Sequence, residues 1–405
     1  MNATIELENQ YCAHNYHPLP VVLVRGEGVH VWDDAGNKYV DMMSAYSAVS
    51  HGHANPRLVK ALSVQAATLS IVSRAFHSDK LAPFLKRACE LTGQDMALPM
   101  NTGSEAVETA LKAARKWAYE VKGVARDKAE IISCEGNFHG RSIAIVSLSA
   151  DPEYKEGFGP FPSGMSTIPY GDPAALAAAI NENTAAFLVE PIQGEGGINI
   201  PPAGYLSECA EICRQQNVLL ICDEVQTGLG RTGKLLACEH DGVKPDGLIL
   251  GKALGGGILP VSLFLAKQEL MDVFQPGTHG STFGGNALAA AVGLEALNIL
   301  VEDELVERSR EMGEYFLGLL QTINSPLVSD VRGKGLFIGM EIDPAMATAR
   351  EVCVRLMKKG LLSKETHETV VRFAPPLIVN RDQLAWAADQ IRDVLADMDL
   401  VAKAS

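Results

Sequence analysis

The stretch Val218-Leu-Leu-Ile-Cys222 ends in Asp223, and Leu248-Ile-Leu250 ends in Gly251-Lys252 before the small-residue run Ala253-Leu-Gly-Gly-Gly257. Short, unbroken apolar runs of this kind are the pattern of strands covered on both faces, as in a mostly parallel sheet. In open α/β sheets ligands bind just beyond the carboxyl ends of such strands. An aspartate and a lysine at two strand ends are therefore the residues from which both fold and chemistry are read.

Working outward, similar runs occur at Met96–Met100, Ile131–Cys134, Ala185–Val189 and Val261–Ala266. Between the first two, Val107, Ala110, Leu111, Ala114, Trp117, Ala118 and Val121 recur at helical spacing, which predicts a helix over Ser104–Val121. Pro202 opens a second predicted helix that runs to Gln215. Strands alternating with helices predict an α/β fold around a mostly parallel mixed sheet. The chain ends differ from this middle. Val29–Trp32 and Lys38–Val40 flank the turn Asp33-Asp-Ala-Gly-Asn37 and predict a β-hairpin. From Asn298 onward two long amphipathic helices and a strand at Leu336–Ile342 are expected, forming a small α+β domain. The division is thus 1–46 for an N-terminal segment packing with the small domain, 47–292 for a large domain and 293–405 for the small one.

Composition narrows the class. The 405 residues are 47% hydrophobic and 21% charged, an ordinary globular balance with enough chain for more than one core. A net charge of −14 argues against nucleic-acid binding, which needs clustered Lys and Arg. The most apolar stretch, Gly284–Leu300, is interrupted by Asn286 and Glu295 and reads as a buried helix, so no membrane partner is expected. The acidic start Met1–Gln10 has neither a signal core nor an Arg-rich transit pattern, and the eight cysteines include no C-x-x-C pair. Free thiols in the cytoplasm are the expectation. His51-x-His53 and His14-x-x-His17 lack further ligands at metal spacing and read as turn or packing histidines.

Polar residues at the other strand ends complete a list. After Met100 comes Asn101-Thr-Gly103-Ser104-Glu105, which can cradle an anion at a helix N-terminus or simply cap that helix. After Cys134 comes Asn137-Phe138-His139-Gly140-Arg141, and after Val189 comes Glu190-Pro-Ile-Gln-Gly-Glu195. Singly, Asp223 can be a loop cap and Lys252 a snorkelling strand-end lysine. Together the ends offer a phosphate cradle, an aromatic to stack on a ring, an acid for a ring nitrogen and a desolvated amine for an aldehyde. Pyridoxal 5′-phosphate needs all four.

A rival reading comes from Gly228-Leu-Gly-Arg-Thr-Gly233-Lys234, which fits the G-x-x-x-x-G-K spacing of a nucleotide-binding loop. The following residue is Leu235, which cannot ligate Mg²⁺, and Asp223-Glu224 intervene between strand and first glycine. The nucleotide reading is rejected. An inactive binding relative would lack Lys252 or Asp223, and both are present.

Five blocks in order, 137–141, 190–195, Cys222-Asp-Glu-Val-Gln-Thr-Gly228, 250–257 and His279-Gly-Ser-Thr-Phe-Gly-Gly-Asn286, resemble the class III aminotransferases of fold type I over nearly the whole chain. The resemblance implies Lys252 as the Schiff-base lysine, Asp223 on the pyridinium nitrogen, Phe138 stacked on the ring and Gln226 on its phenolate. Gly103 and Ser104 would hold the phosphate from one subunit and Thr282 from the other, implying a homodimer with shared sites. Acetylornithine and 4-aminobutyrate aminotransferases share most of these blocks. His14–Pro20, Ser44–Val49, Ser73–Phe76 and Arg372–Leu377 are similar to the ornithine aminotransferases in particular. For that branch the resemblance implies L-ornithine and 2-oxoglutarate as partners, with Tyr16 on the substrate α-amino group, Arg141 on its carboxylate and Tyr46 lining the pocket. Glu195 would pair with Arg372 while ornithine is bound and release it for the keto acid. His139 and Gly197 depart from the Trp and Ala frequent in animal relatives.

Overall fold

The computed structural model describes residues 2–404. Its N-terminal part carries the hairpin strands β1 (Leu23–Glu27), β2 (His30–Asp33) and β3 (Lys38–Asp41), joined antiparallel. The expected turn is held by Asp33, whose carboxylate accepts from the Ala35 and Asn37 N–H groups at 3.0 and 2.7 Å. This is the Asx-turn chemistry that made the stretch legible.

The central sheet contains β4 (Met96–Met100), β5 (Glu130–Cys134), β6 (Met165–Ile168), β7 (Thr184–Val189), β8 (Leu219–Asp223), β9 (Gly247–Leu250) and β10 (Ser262–Ala266). Their order is β4-β10-β9-β8-β7-β5-β6, with β10 antiparallel to both neighbours and the remaining pairs parallel. The reversal at β10 follows from the segment after β9. Parallel return needs a long crossover, usually a helix, whereas Gly251–Pro260 makes only a short 3-10 turn over Lys252–Gly255 before turning back. All six apolar runs are strands. β6 was not foreseen: it lies at the sheet edge, its four residues Met-Ser-Thr-Ile are half polar, and only Ile168 is fully buried.

Helices cover the sheet. Gly103–Trp117 buries Ala106, Val107, Ala110, Leu111, Ala113 and Ala114, and continues as a π-turn over Ala118–Lys122. The apolar stretch near 290 is the buried helix Ala287–Glu302. The helix predicted from Pro202 begins later, at Tyr205, because Gly204 takes a left-handed φ of 83° that cannot continue a right-handed helix. Among the described residues no helix is long and apolar enough to cross a membrane.

The C-terminal part holds β11 (Val328–Lys334), β12 (Phe337–Ile342), β13 (Leu361–Leu362), β14 (Lys364–Thr366) and β15 (Val370–Phe373). β11-β12-β15-β14 form an antiparallel sheet, while β13 pairs parallel with β3 and extends the N-terminal sheet. The long helices Leu305–Gln321 and Arg381–Ala404 are those expected, and the shorter Ala349–Lys358, opened by a Thr348/Glu351 capping box, is additional. Phe316 and Phe373 meet edge-on at 5.9 Å in the core of this part.

One close contact fixes how the loop after β8 meets this sheet. A Cβ on Gly313 would stand 2.1 Å from the Gly335 carbonyl carbon, and one on Gly335 would stand 2.4 Å from that of Thr232. Backbone, not a flexible side chain, fills the space. Gly313→Ala is expected to lower stability by about 1–3 kcal/mol through overpacking, read as a lower urea midpoint with an unchanged slope.

Candidate active site

The register of the central sheet sets the site. Asp223 lies opposite Ile249 in the parallel β8/β9 pair, so Asp223 and the Lys252 turn emerge together at the carboxyl ends of these strands. They line a cavity of roughly 180 Å³ together with Gly103, Ser104, Phe138, His139, Glu190 and Gln226.

Asp223 is 5% exposed, and burying a carboxylate without partners is costly. Its Oδ2 lies 2.7 Å from Nδ1 of His139, and Oδ1 accepts the Val225 N–H at 3.0 Å. Nε2 of His139 in turn meets Ser133 Oγ at 3.0 Å. Burial pulls the His139 imidazole down, but the hydrogen bond and charge of Asp223 outweigh it and the net shift is upward. An ionised carboxylate has about four lone-pair sites, and these partners leave Asp223 with capacity toward the cavity.

Lys252 has a φ of 43°, a left-handed backbone that a non-glycine residue holds only under constraint. Burial lowers its pKa; Glu195 opposes the shift and Arg372 adds to it. The amine is thus neutral more often than a surface lysine and is available as nucleophile and base.

Thr102 caps the helix that starts at Gly103, and Glu105 completes a capping box by accepting the Thr102 N–H at 2.8 Å. The first N–H groups of a helix have no intrahelical acceptor, and Gly103 and Ser104, the first two residues of this helix, line the cavity. Capping by Thr102 is therefore compatible with an anion cradle at Gly103 and Ser104. A Cβ on Gly140 would fall 2.3 Å from Ser104 Oγ, so a side chain there would fill the cradle.

Phe138 is half-buried over the cavity, and its N–H donates to Glu190 at 2.9 Å. Glu190 also accepts the Gly194 N–H at 3.3 Å, and burial pushes its carboxyl up to about 7. It ties the Phe138 loop to the loop carrying Glu195. Neither this role nor the His139–Asp223 contact was read from sequence. A carboxylate at the end of the apolar β7 run was the available signal for Glu190; for His139 there was none.

A second cluster adjoins the cavity through Gln226, whose Nε2 donates to Glu195 at 3.2 Å. Arg372, 1% exposed on β15, makes a bidentate pair with Glu195 at 2.6 and 3.3 Å. Burial raises the Glu195 carboxyl, but Arg372 and Lys252 more than reverse this, and the group is held below the usual glutamate range. Tyr46 lies with its ring centroid 4.9 Å from the Arg372 guanidinium. It sits in the run Ser44–Ser47, whose φ angles are 44°, 49°, 58° and 72°. Left-handed backbone costs L-residues about 1–2 kcal/mol each, so this turn needs outside support.

Arg141 is exposed beside the cavity, 3.7 Å from the Tyr154 ring centroid and 5.3 Å from that of Phe138. Tyr154 was missed because a lone tyrosine in the loop after 150 carries no pattern. Tyr16 is 75% exposed, and Thr282 is exposed on the loop before Ala287–Glu302; neither lines the cavity of its own chain. The nucleotide-loop mimic, residues 228–234, leads into a 3-10 turn at Ala237–Asp241 and buries Arg231 completely.

The family model for class-III aminotransferases matches residues 11–395. The ornithine aminotransferase of Geobacillus sp. (strain WCH70) is 57% identical over 97% of this chain and 98% of its own. Among solved structures, an ornithine aminotransferase from Toxoplasma gondii, described with partial occupancy of PLP at its active site, superposes with a TM-score of 0.97 at 44% identity. It covers 99% of this chain and 95% of its own. The acetylornithine aminotransferase of Elizabethkingia anophelis gives 0.88 at 47% identity over 97% of this chain and 98% of its own. These neighbours share the α/β architecture expected from the strand pattern and the fold type I that the family resemblance implied. The chain belongs to the class-III aminotransferase family.

Proposed function

We propose that this chain is a pyridoxal 5′-phosphate-dependent ornithine δ-aminotransferase. It would move the δ-amino group of L-ornithine to 2-oxoglutarate, giving glutamate and glutamate 5-semialdehyde, which cyclises to pyrroline-5-carboxylate. The observation that carries the substrate assignment is the bidentate Glu195–Arg372 pair beside the Lys252 cavity.

The residues around the cavity fit the cofactor. Asp223 has acceptor capacity for a protonated ring nitrogen, Gly103 and Ser104 offer N–H groups to a phosphate, and Phe138 and Gln226 would bound the ring and its phenolate. When bound, pyridoxal phosphate supplies an aldehyde for the amine and a ring that accepts electrons from the reacting carbon. Lys252 would hold that aldehyde at rest. Once displaced by the substrate amine, its desolvated Nζ would carry the proton at the substrate δ-carbon. The exposed Thr282–Phe283 loop, which does not line the Lys252 cavity, supports a homodimer in which Thr282 completes a second copy's phosphate site.

Substrate orientation is a charge problem. Ornithine has one carboxylate and two amines, and an unmasked Arg372 would draw the carboxylate inward and present the α-amine. Paired with Glu195, the guanidinium is neutralised and that orientation loses its anchor. Arg141, exposed over Tyr154, is then the cation left for the α-carboxylate, with Tyr16 for the α-amine and Tyr46 as pocket wall. For 2-oxoglutarate the substrate's own α-carboxylate would replace Glu195 on Arg372, and Arg141 would take the distal one.

The pairing of β3 with β13 supports grouping segment 1–46 with 293–405 around a large unit of 47–292. A cytoplasmic location agrees with the free thiols of Cys134, Cys209, Cys213, Cys222, Cys238 and Cys353.

Lys252→Ala is expected to lose the visible absorbance of the bound cofactor and to lower turnover by at least two to four orders of magnitude, roughly the worth of a positioned base. Near-normal turnover would end the reading. Glu195→Ala should raise the ratio of α- to δ-transamination roughly tenfold, the equivalent of about 1.5 kcal/mol for one charged hydrogen bond. An unchanged ratio, measured by product chromatography, would remove the masking role.

A further inference from the structure

Arg231 takes no part in the chemistry above, yet it is fully buried. Its Nη1 donates to the carbonyls of Leu336 at 3.0 Å and Pro375 at 2.6 Å. Its Nη2 donates to Ser50 Oγ at 2.9 Å and, more weakly, to Ser44 Oγ at 3.4 Å. Among the described residues no carboxylate forms an ion pair with it, and Asp41 is the charge that opposes its desolvation. Burial brings the guanidinium down to about 9, which leaves it charged at neutral pH. A buried cation held by neutral acceptors is expensive, and only a rigid planar fork reaches so many at once.

The acceptors come from three stretches that meet at Arg372. Leu336 precedes β12, and Pro375 follows β15, which carries Arg372. Ser44 opens the left-handed run that carries Tyr46, and Ser50 follows three residues after its end. The run is fastened again where Ser44 Oγ donates to the Ala374 carbonyl at 2.6 Å, and Asp41 accepts the Ser44 N–H at 2.8 Å. Arg231 itself is held in place: Ser309 Oγ donates to its carbonyl at 3.0 Å and accepts the Leu336 N–H at 3.2 Å.

We propose that Arg231 is a positioning residue for the carboxylate subsite: it ties the left-handed turn Ser44–Ser47 to the strand ends beside Arg372, and so holds Tyr46 over that guanidinium. Without the tie the turn relaxes toward ordinary backbone, Tyr46 leaves Arg372, and the carboxylate that replaces Glu195 loses a dry, shaped wall. The inference rests on Arg372 being the keto-acid subsite, as argued in the preceding subsection. It does not rest on the masking role of Glu195.

The test is a double-mutant cycle on the holoenzyme, with KM for 2-oxoglutarate as the readout. Arg231→Lys, which keeps the charge and loses the fork, should raise KM roughly tenfold with kcat changed less than about threefold. Ser50→Ala, a gentler cut of the same tie, should raise it about threefold. Tyr46→Ala should raise KM by itself, and adding either change to it should raise KM no further, because coupled residues act as one. A merely structural arginine would lower the melting temperature and multiply independently with Tyr46→Ala. Multiplying effects, or an unchanged KM in folded Arg231→Lys or in Tyr46→Ala, overturns the proposal. If Arg231→Lys does not fold, the Ser50→Ala and Tyr46→Ala cycle decides alone. Failure of the Glu195 reading shows instead in the α-to-δ ratio, which this cycle does not use.

Discussion

Everything at the site depends on the β8/β9 register, which sets Asp223 opposite Ile249 and brings Lys252 out beyond the same strand ends three residues on. Side chains alternate faces along a strand, so a slip by one residue would turn Asp223 into the sheet's other face. Both strands are buried throughout, so a slip would leave the Asp223 carboxylate buried without its His139 partner. The buried carboxylate then requires a partner, and His139 supplies one from the loop after β5, its Nδ1 2.7 Å from Oδ2. Glu190 requires donors, and takes them from the Phe138 and Gly194 N–H groups. Each loop is thus drawn to the site by a polar group that a neighbouring strand end leaves unsatisfied.

The same logic links the central sheet to the C-terminal one. Arg372 is buried on β15 and finds its counter-charge on the loop after β7, at Glu195. Arg231 leaves the loop after β8 and finds only carbonyls and hydroxyls. The two arginines differ in what they are positioned to do. One has a carboxylate that a substrate's carboxylate can replace; the other has neutral partners that no substrate can replace. The exchangeable pair suits a binding subsite and the fixed one suits a fastening.

Much of this was legible in the sequence. Strands buried on both faces announce themselves as apolar runs, and the residues just after them were the right ones to examine. Asp223, Lys252, Gly103, Ser104, Phe138 and Gln226 border one cavity. What sequence did not show depends on distance through space. The 84-position separation of His139 and Asp223 hides their contact. The short strands β13 and β14, two and three residues long, are below any periodicity. The left-handed turn at Ser44–Ser47 contains no glycine to mark it. Gly228–Lys234 resembles a nucleotide loop in spacing only: its lysine leads to Leu235, and its arginine is buried against carbonyls and hydroxyls.

The central claim is that charge masking beside Lys252 selects the terminal amine of a diamino acid. The most direct measurement offers L-ornithine, N-acetylornithine and 4-aminobutyrate side by side with 2-oxoglutarate and compares kcat/KM. The account predicts ornithine to be preferred, with its product trapped as the cyclised semialdehyde. A clear preference for N-acetylornithine or 4-aminobutyrate, or formation of the α-keto product from ornithine, would contradict it.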